Sequence, residues 1–220
     1  MKYIKGIIFD LDGVICHTDK YHYLSWKEVA DELGIEFNEN INNRLRGVSR
    51  MESLEIILEK SSKNYSDYEK NQIAEKKNYI YRQYLMTMTS DDISKDVRDT
   101  LCLLREKGYH LAIGSSSKNA KLILEKTLLL DIFDAISDGT NITHSKPNPE
   151  VFLKAAKMLN LSPSDCIVVE DAVSGIIAGN NAGMCTIAIG DASNSKMAEY
   201  NIEKLSDIIS IVDIIKERTN

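Results

Sequence analysis

Two aspartates separated by one residue, Asp10 and Asp12, close the apolar run Ile7-Ile8-Phe9 and are followed directly by Gly13. Carboxylates crowded at the end of a buried segment repel one another and lose hydration, a cost that a cation or substrate can offset. One such group could attack a phosphoryl centre and the other could carry a proton. The plainer reading is an Asx-type turn in which Gly13 takes a positive φ.

Three more polar clusters stand out, two of them after apolar runs. Leu111-Ala112-Ile113-Gly114 leads into Ser115-Ser116-Ser117-Lys118-Asn119. Hydroxyls and free N–H groups at the start of a helix suit a phosphate, reinforced by Lys118. An ordinary Ser117 N-cap explains the same residues. Ser145-Lys146-Pro147 sets an ammonium before a rigid turn, a weak signal by itself. Ile167-Val168-Val169 ends in Glu170-Asp171. A surface turn would explain that pair, were it not the second acidic cluster of its kind. Carboxylates beside a phosphate suit Mg²⁺, a hard cation that takes oxygen ligands. Mg²⁺, Lys146 and Ser115 could neutralise a phosphoryl group and let a carboxylate approach it, forming an aspartyl phosphate.

The elements that must position these residues follow from periodicity. The first run is apolar on both faces, as in a buried parallel strand whose carboxyl end gathers ligands. Helical spacing predicts a helix over 19–33, with His22, Trp26, Val29, Ala30 and Leu33 on one face, Thr18 as N-cap and Gly34 as the stop. A second helix over 50–61 opens on the capping box Ser49–Glu52, and Met51, Leu54 and Leu58 recur along it. A third over 66–86 carries Ile73, Ile80, Tyr81, Tyr84 and Leu85. No strand is expected between 15 and 88.

From about 93 the pattern alternates: helix 94–107, strand 109–114, helix 118–128, helix 149–159, strand 166–170, helix 172–181 and strand 184–189. A short strand at 206–209 and a helix at 210–218 are expected to close the chain. Alternation of this kind implies an α/β fold, a Rossmann-like parallel sheet with helices on both faces. The expected domains are a core of 1–14 plus 89–220 and an inserted helical cap of 15–88.

With 220 residues, 43% hydrophobic and 27% charged, the chain can bury a substantial core. No apolar run approaches the ~20 residues of a membrane span. No secretory segment precedes the first strand, and Cys16, Cys102, Cys166 and Cys185 lie far apart without a C-x-x-C pair. A cytoplasmic protein without disulfides is expected. The formal net charge of −6 argues against nucleic acid or anionic membrane as partner but leaves room for a phosphorylated small molecule.

In order, Asp10-Leu11-Asp12-Gly13-Val14, the Ser115 loop, Lys146-Pro147 and Glu170-Asp171 resemble the four motifs of the haloacid dehalogenase superfamily. Within it the chain resembles the branch of sugar-phosphate mutases, through Tyr21-His22, Ser25-Trp26-Lys27, Gly47-Val48-Ser49-Arg50, Lys76-Lys77-Asn78 and Ser117-Lys118-Asn119. The resemblance spans residue 4 to about 190. It implies Asp10 as nucleophile and Asp12 as general acid/base. It places Mg²⁺ on Asp10, the Asp12 carbonyl, Glu170 and Asp171. Ser115, Ser116 and Lys146 would hold the transferring phosphate, and Arg50, Ser117, Lys118 and Asn119 the distal one. Thr18, His22, Trp26, Gly47, Val48, Ser49 and Lys77 would contribute from the cap. Two positions depart from the family pattern: Cys16-His17 replaces a usual acidic residue, and no Pro-Gly precedes the helix near 94–97.

Three cap residues have plainer readings of their own. Arg50 opposes the macrodipole at a helix start and could simply be solvated. Lys77 lies inside the apolar stripe of its helix and could snorkel. His22, on an apolar face, could be a satisfied core histidine. The implied function is conversion of β-glucose 1-phosphate to glucose 6-phosphate by a Mg²⁺-dependent monomer, through a phospho-enzyme and a bisphosphate. Cap closure would keep water from the aspartyl phosphate. The alternative is a Mg²⁺-dependent sugar-phosphate phosphatase. A phospholigand sensor is a third reading, disfavoured because binding alone needs no nucleophile.

Overall fold

The computed structural model describes residues 4–45 and 48–217. The chain divides into two compact units, 1–17 with 89–220 and 18–88. Residues 15–17, placed with the insert on sequence, fall in the larger unit.

The larger unit is built on six parallel strands: β1 Gly6–Phe9, β2 His110–Gly114, β3 Ala135–Ser137, β4 Cys166–Glu170, β5 Cys185–Ala188 and β6 Tyr200–Asn201, in the order β3-β2-β1-β4-β5-β6. β1 is central because all four of its residues are buried and it pairs on both edges, Phe9 standing opposite Ile113 on one side and Val169 on the other. Strand order reverses between β1 and β4, the position where open α/β sheets bind ligands beyond their carboxyl ends. One face of the sheet presents Ile8, Ala112 and Val168 to Val151, Phe152 and Ala155 of α7 (Glu150–Met158) and to Ala178 of α8 (Val173–Asn181). Full burial of such side chains is worth ~1.5–3 kcal/mol each, so the strand ends are held on a stiff platform.

The smaller unit is all helical: α1 Asp19–Glu32, α2 Glu39–Asn43, α3 Arg50–Leu58 and α4 Asp67–Leu85. Among its described residues no strand occurs. The Ser49 capping box is present, with Glu52 N donating to Ser49 Oγ at 3.3 Å and Ser49 N to Glu52 Oε2 at 2.8 Å. Gly34 ends α1 at φ +69°. Its core gathers Trp26, Val29, Ala30, Phe37, Leu54, Ile57 and Ile80.

The remaining helices are α5 Lys95–Glu106, α6 Ala120–Lys126 and α9 Ile208–Glu217. Two short elements escaped periodicity, α2 with five residues and β3 with three. The tail corrects the sequence reading. The predicted strand at 206–209 does not form; β6 lies at 200–201, Leu205–Asp207 is a 3₁₀ turn, and α9 already begins at Ile208. Ile208-Ile209 suggests a strand by residue type, but Ile208, Val212 and Ile215 bury one helical face and that spacing prevails.

Candidate active site

β1 delivers Asp10 to the carboxyl edge of the sheet, where its N–H donates to the Val169 carbonyl of β4 at 2.9 Å. The Asp10 side chain is buried, as is that of Glu170 at the end of β4. The Lys146 ammonium lies between them and donates to Asp10 Oδ1 and to Glu170 Oε1. Glu170 Oε2 accepts from Ala172 N at 2.9 Å, so both oxygens of this carboxylate are engaged. Asp171 completes the cluster, and ligand oxygens of Asp10, Glu170 and Asp171 lie within 4.8 Å of one another. Burial raises the Asp10 carboxyl well above the usual carboxylate range, Glu170 and Asp171 push it further, and Lys146 opposes them. Burial disfavours the charged form of Lys146, yet the two adjoining carboxylates override it and raise its pKa.

When ionised, three carboxylates against one ammonium leave two negative charges on an all-oxygen donor set. That balance and that chemistry fit a divalent hard cation. Small residues leave space for the cluster. A Cβ on Gly13, which sits at φ +90°, would lie 2.0 Å from Asp171 Oδ2. A Cβ on Gly175 would lie 1.9 Å from Glu170 Cδ. Lys146 also rests on an aromatic face, its Nζ 4.9 Å from the centroid of the buried Phe152 ring.

The β2 loop brings Ser115 to the same edge, buried and tied to β3 through Ser115 N and the Ser137 carbonyl at 3.0 Å. Ser117 is not a helix N-cap. Ser115 Oγ accepts from Ser117 N at 3.1 Å and Ser117 Oγ from Asn119 N at 3.2 Å, so two successive serine turns delay α6 to Ala120. Ser116 Oγ is buried without a hydrogen-bond partner, Asn119 is buried and Lys118 is exposed. Asp12 is half-buried; Cys16 Sγ lies 4.0 Å from its Oδ1, and Gly13 N closes the turn onto the Cys16 carbonyl at 2.7 Å.

In the insert, Lys77 does not snorkel; it is only 2% exposed. Its ammonium lies 2.8 Å from His22 Nδ1 and over the rings of Tyr81 and Trp26, 4.4 Å and 5.3 Å from their centroids. An ammonium has only hydrogens to offer, so Nδ1 accepts and the imidazole carries its proton on Nε2. Desolvation, then the Lys77 and Arg50 charges, hold His22 well below its ordinary value of 6.5. Thr18 precedes α1, but its hydroxyl makes no cap bond; Tyr81 Oη donates to it at 2.9 Å. Arg50 is not simply solvated: Nη1 reaches Glu75 Oε1 and Nη2 reaches Asn78 Oδ1, each at 3.0 Å. Val48 is exposed, Ser49 caps α3, and Gly47 lies outside the described residues. Sequence reasoning assigned no role to Phe152, Gly175, Glu75 or Tyr81. Of these only Tyr81, four residues beyond Lys77, lay on a stripe that could have flagged it.

The sequence profile of the haloacid dehalogenase-like hydrolases matches residues 4–183. The chain is 39% identical over 207 residues to β-phosphoglucomutase of Bacillus subtilis, covering 93% of this chain and 92% of that protein. A crystal structure of β-phosphoglucomutase from Clostridium difficile superposes with a TM-score of 0.90 at 38% identity, covering 98% of this chain and 99% of that one. A fructose-1-phosphate phosphatase of Escherichia coli is 29% identical over 190 residues, or 84% of this chain and 95% of that protein.

Proposed function

The chain belongs to the haloacid dehalogenase-like hydrolases, and from that membership we propose that it is a Mg²⁺-dependent β-phosphoglucomutase. The observation that carries the reading is the convergence of Asp10, Glu170 and Asp171 on one point beside Lys146. Asp10 attacks the phosphorus of a sugar bisphosphate, the bond to the sugar oxygen breaks, and an aspartyl phosphate forms. Asp12 gives a proton to the departing hydroxyl and takes one back when the next sugar phosphate attacks. The phosphoryl group then passes to the free hydroxyl of β-glucose 1-phosphate, and the resulting 1,6-bisphosphate returns its other phosphate to Asp10, releasing glucose 6-phosphate.

Asp10, Glu170, Asp171 and the Asp12 carbonyl would hold Mg²⁺, which supplies neutralisation of phosphate charge. Lys146 opposes the burial that favours the neutral form of Asp10, and with Ser115 and Ser116 lines the place of the transferring group. Lys118, Ser117 and Asn119 in the core are candidate ligands for a second phosphate, and Arg50 is a candidate phosphate-binding residue of the insert. In the insert, His22 and Lys77 form a neutral imidazole and ammonium pair that can exchange a hydrogen bond with a sugar hydroxyl. The identity to β-phosphoglucomutases over nearly the whole chain supports the mutase.

The phosphatase reading is favoured by relatives such as the E. coli phosphatase, at lower identity. A monomeric, cytoplasmic enzyme is part of the proposal; among the described residues no helix is long and apolar enough to cross a membrane. Incubation with β-glucose 1-phosphate, Mg²⁺ and a trace of bisphosphate primer tests it. Glucose 6-phosphate forming faster than inorganic phosphate is expected. The reverse order establishes the phosphatase.

A further inference from the structure

Lys146 lies on the irregular segment 138–149 between β3 and α7, so no helix or strand ladder fixes its place. The first two turns of α7 hold this segment instead. The Glu150 carboxylate reaches back to accept from Thr143 N at 3.0 Å and from His144 N at 2.8 Å. Its Oε2 also lies 3.3 Å from His144 Nδ1. Lys154, one turn on, lies 2.9 Å from Glu150 Oε1 and donates to the Asn141 carbonyl. Asn141 in turn accepts from Asp138 N at 3.2 Å through its side chain. On the same helix Phe152 forms the floor beneath the Lys146 ammonium.

A carboxylate in the first turn of a helix is favourable for the macrodipole alone. That role requires no contact with residues six and seven positions upstream, whereas Glu150 gives its oxygens to the two N–H groups that lead into Ser145-Lys146. Lys154 and the Thr143 and His144 N–H groups hold Glu150 down to about 2, so its charge persists throughout the working range.

We propose that Glu150 is a positioning residue for Lys146: by fixing the backbone at Thr143 and His144 it sets where the ammonium stands between Asp10 and Glu170. The proposal rests on the phosphoryl-transfer reading of Lys146. A displacement of ~1 Å at a reacting centre costs ~100-fold in rate, so Glu150→Ala should lower the rate of phosphoryl transfer to Asp10 by about 10- to 100-fold. The test is a double-mutant cycle of Glu150→Ala with Lys146→Ala, read as phospho-enzyme formed from acetyl phosphate and, separately, as kcat and KM with β-glucose 1-phosphate.

A loss in kcat with little change in KM is expected in the native background, and no further loss where Lys146 is already alanine. Equal losses in both backgrounds, or no loss in either, overturn the proposal. Glu150→Gln, which keeps the shape and one acceptor oxygen, is run in parallel and should recover part of the rate; it supplies the same cycle where the alanine variant does not fold. Acetyl phosphate labels Asp10 whatever the sugar, so a wild-type protein that is labelled yet inactive on β-glucose 1-phosphate refutes the mutase while the cycle is still decided.

Discussion

Gly175 opposes two ordinary rules, and Gly175→Ala tests which one governs the site. It is the third residue of α8, a helical position where replacing glycine by alanine stabilises by up to ~1 kcal/mol. An added Cβ would stand 1.9 Å from both Glu170 Cδ and Glu170 Oε1. A flexible carboxylate in solvent would step aside at little cost. Glu170 cannot do so freely, because it is 1% exposed and each oxygen has a partner, Lys146 on one and Ala172 N on the other. Moving it breaks a buried ion pair, which costs ~3–5 kcal/mol.

Subtracting the ~1 kcal/mol gain in helix propensity leaves a net loss of ~2–4 kcal/mol. For chains of ~150–250 residues each kcal/mol is ~2–4 °C, so Tm should fall by roughly 5–15 °C. Calorimetry of Gly175→Ala beside the native protein measures this. With Glu170→Ala already in place, the same substitution should raise Tm, since the obstacle is gone and propensity remains. A Gly175→Ala protein more stable than the native one, with Glu170 intact, would refute the claim that this carboxylate is locked.

Gly13→Ala should be harmful for a different reason, adding a strained positive φ to a Cβ placed 2.0 Å from Asp171 Oδ2; weaker divalent-ion binding in a calorimetric titration is expected, and unchanged affinity would count against Asp171 as a ligand. A divalent ion bound only by the folded chain should raise Tm, by ~2.7 kcal/mol of stabilisation at a hundredfold excess over Kd; a chelator should reverse it, and Lys146→Met, which removes the competing cation, should enlarge the shift. His22 stays neutral in the fold while an unfolded histidine takes a proton below its ordinary 6.5. The unfolded state then binds more protons, so stability falls with decreasing pH by up to ~1.4 kcal/mol per unit below that point and is unaffected above it. Denaturation of His22→Asn from pH 5 to 8 should show a shallower slope; a slope equal to the native one removes His22 from the account.

The residues readable from sequence share a property: each follows a strand long and apolar enough to be recognised. Asp10 follows β1, Ser115 follows β2 and Asp171 follows β4, and a parallel sheet brings its carboxyl ends together whatever lies between them in sequence. Lys146 follows no strand and gave only a weak signal as the lysine before a rigid turn, since its place depends on Glu150 and Phe152, which meet it only after folding. The insert shows the same division. The Ser49–Glu52 box is local and was legible, whereas the bond from Tyr81 to Thr18 spans 63 positions and displaced the expected N-cap role of that hydroxyl. Periodicity placed Lys77 on the buried side of α4, but only the packed rings of Trp26 and Tyr81 explain how an ammonium is tolerated there.

β3 shows what an unread strand conceals. With three residues it is too short for an alternation to register, and sequence analysis passed over it. Its pairing places Ser137 beside Gly114, so Asp138 emerges at the level of Ser115, in the same relation to its strand as Asp10 has to β1. Asp138 is fully buried; Oδ1 accepts from Thr140 N at 2.9 Å, while Oδ2 has no hydrogen-bond partner. Ser116 Oγ, one residue beyond Ser115, is also buried and unpartnered. Buried polar atoms are nearly always satisfied, so two exceptions on neighbouring strand ends mark where folding alone does not account for the residues chosen. The rule that found Asp10 from its strand would have found Asp138 from β3. What limited the sequence reading at this edge was recognition of the strand, and the chemistry beyond its end followed the same geometry as the rest.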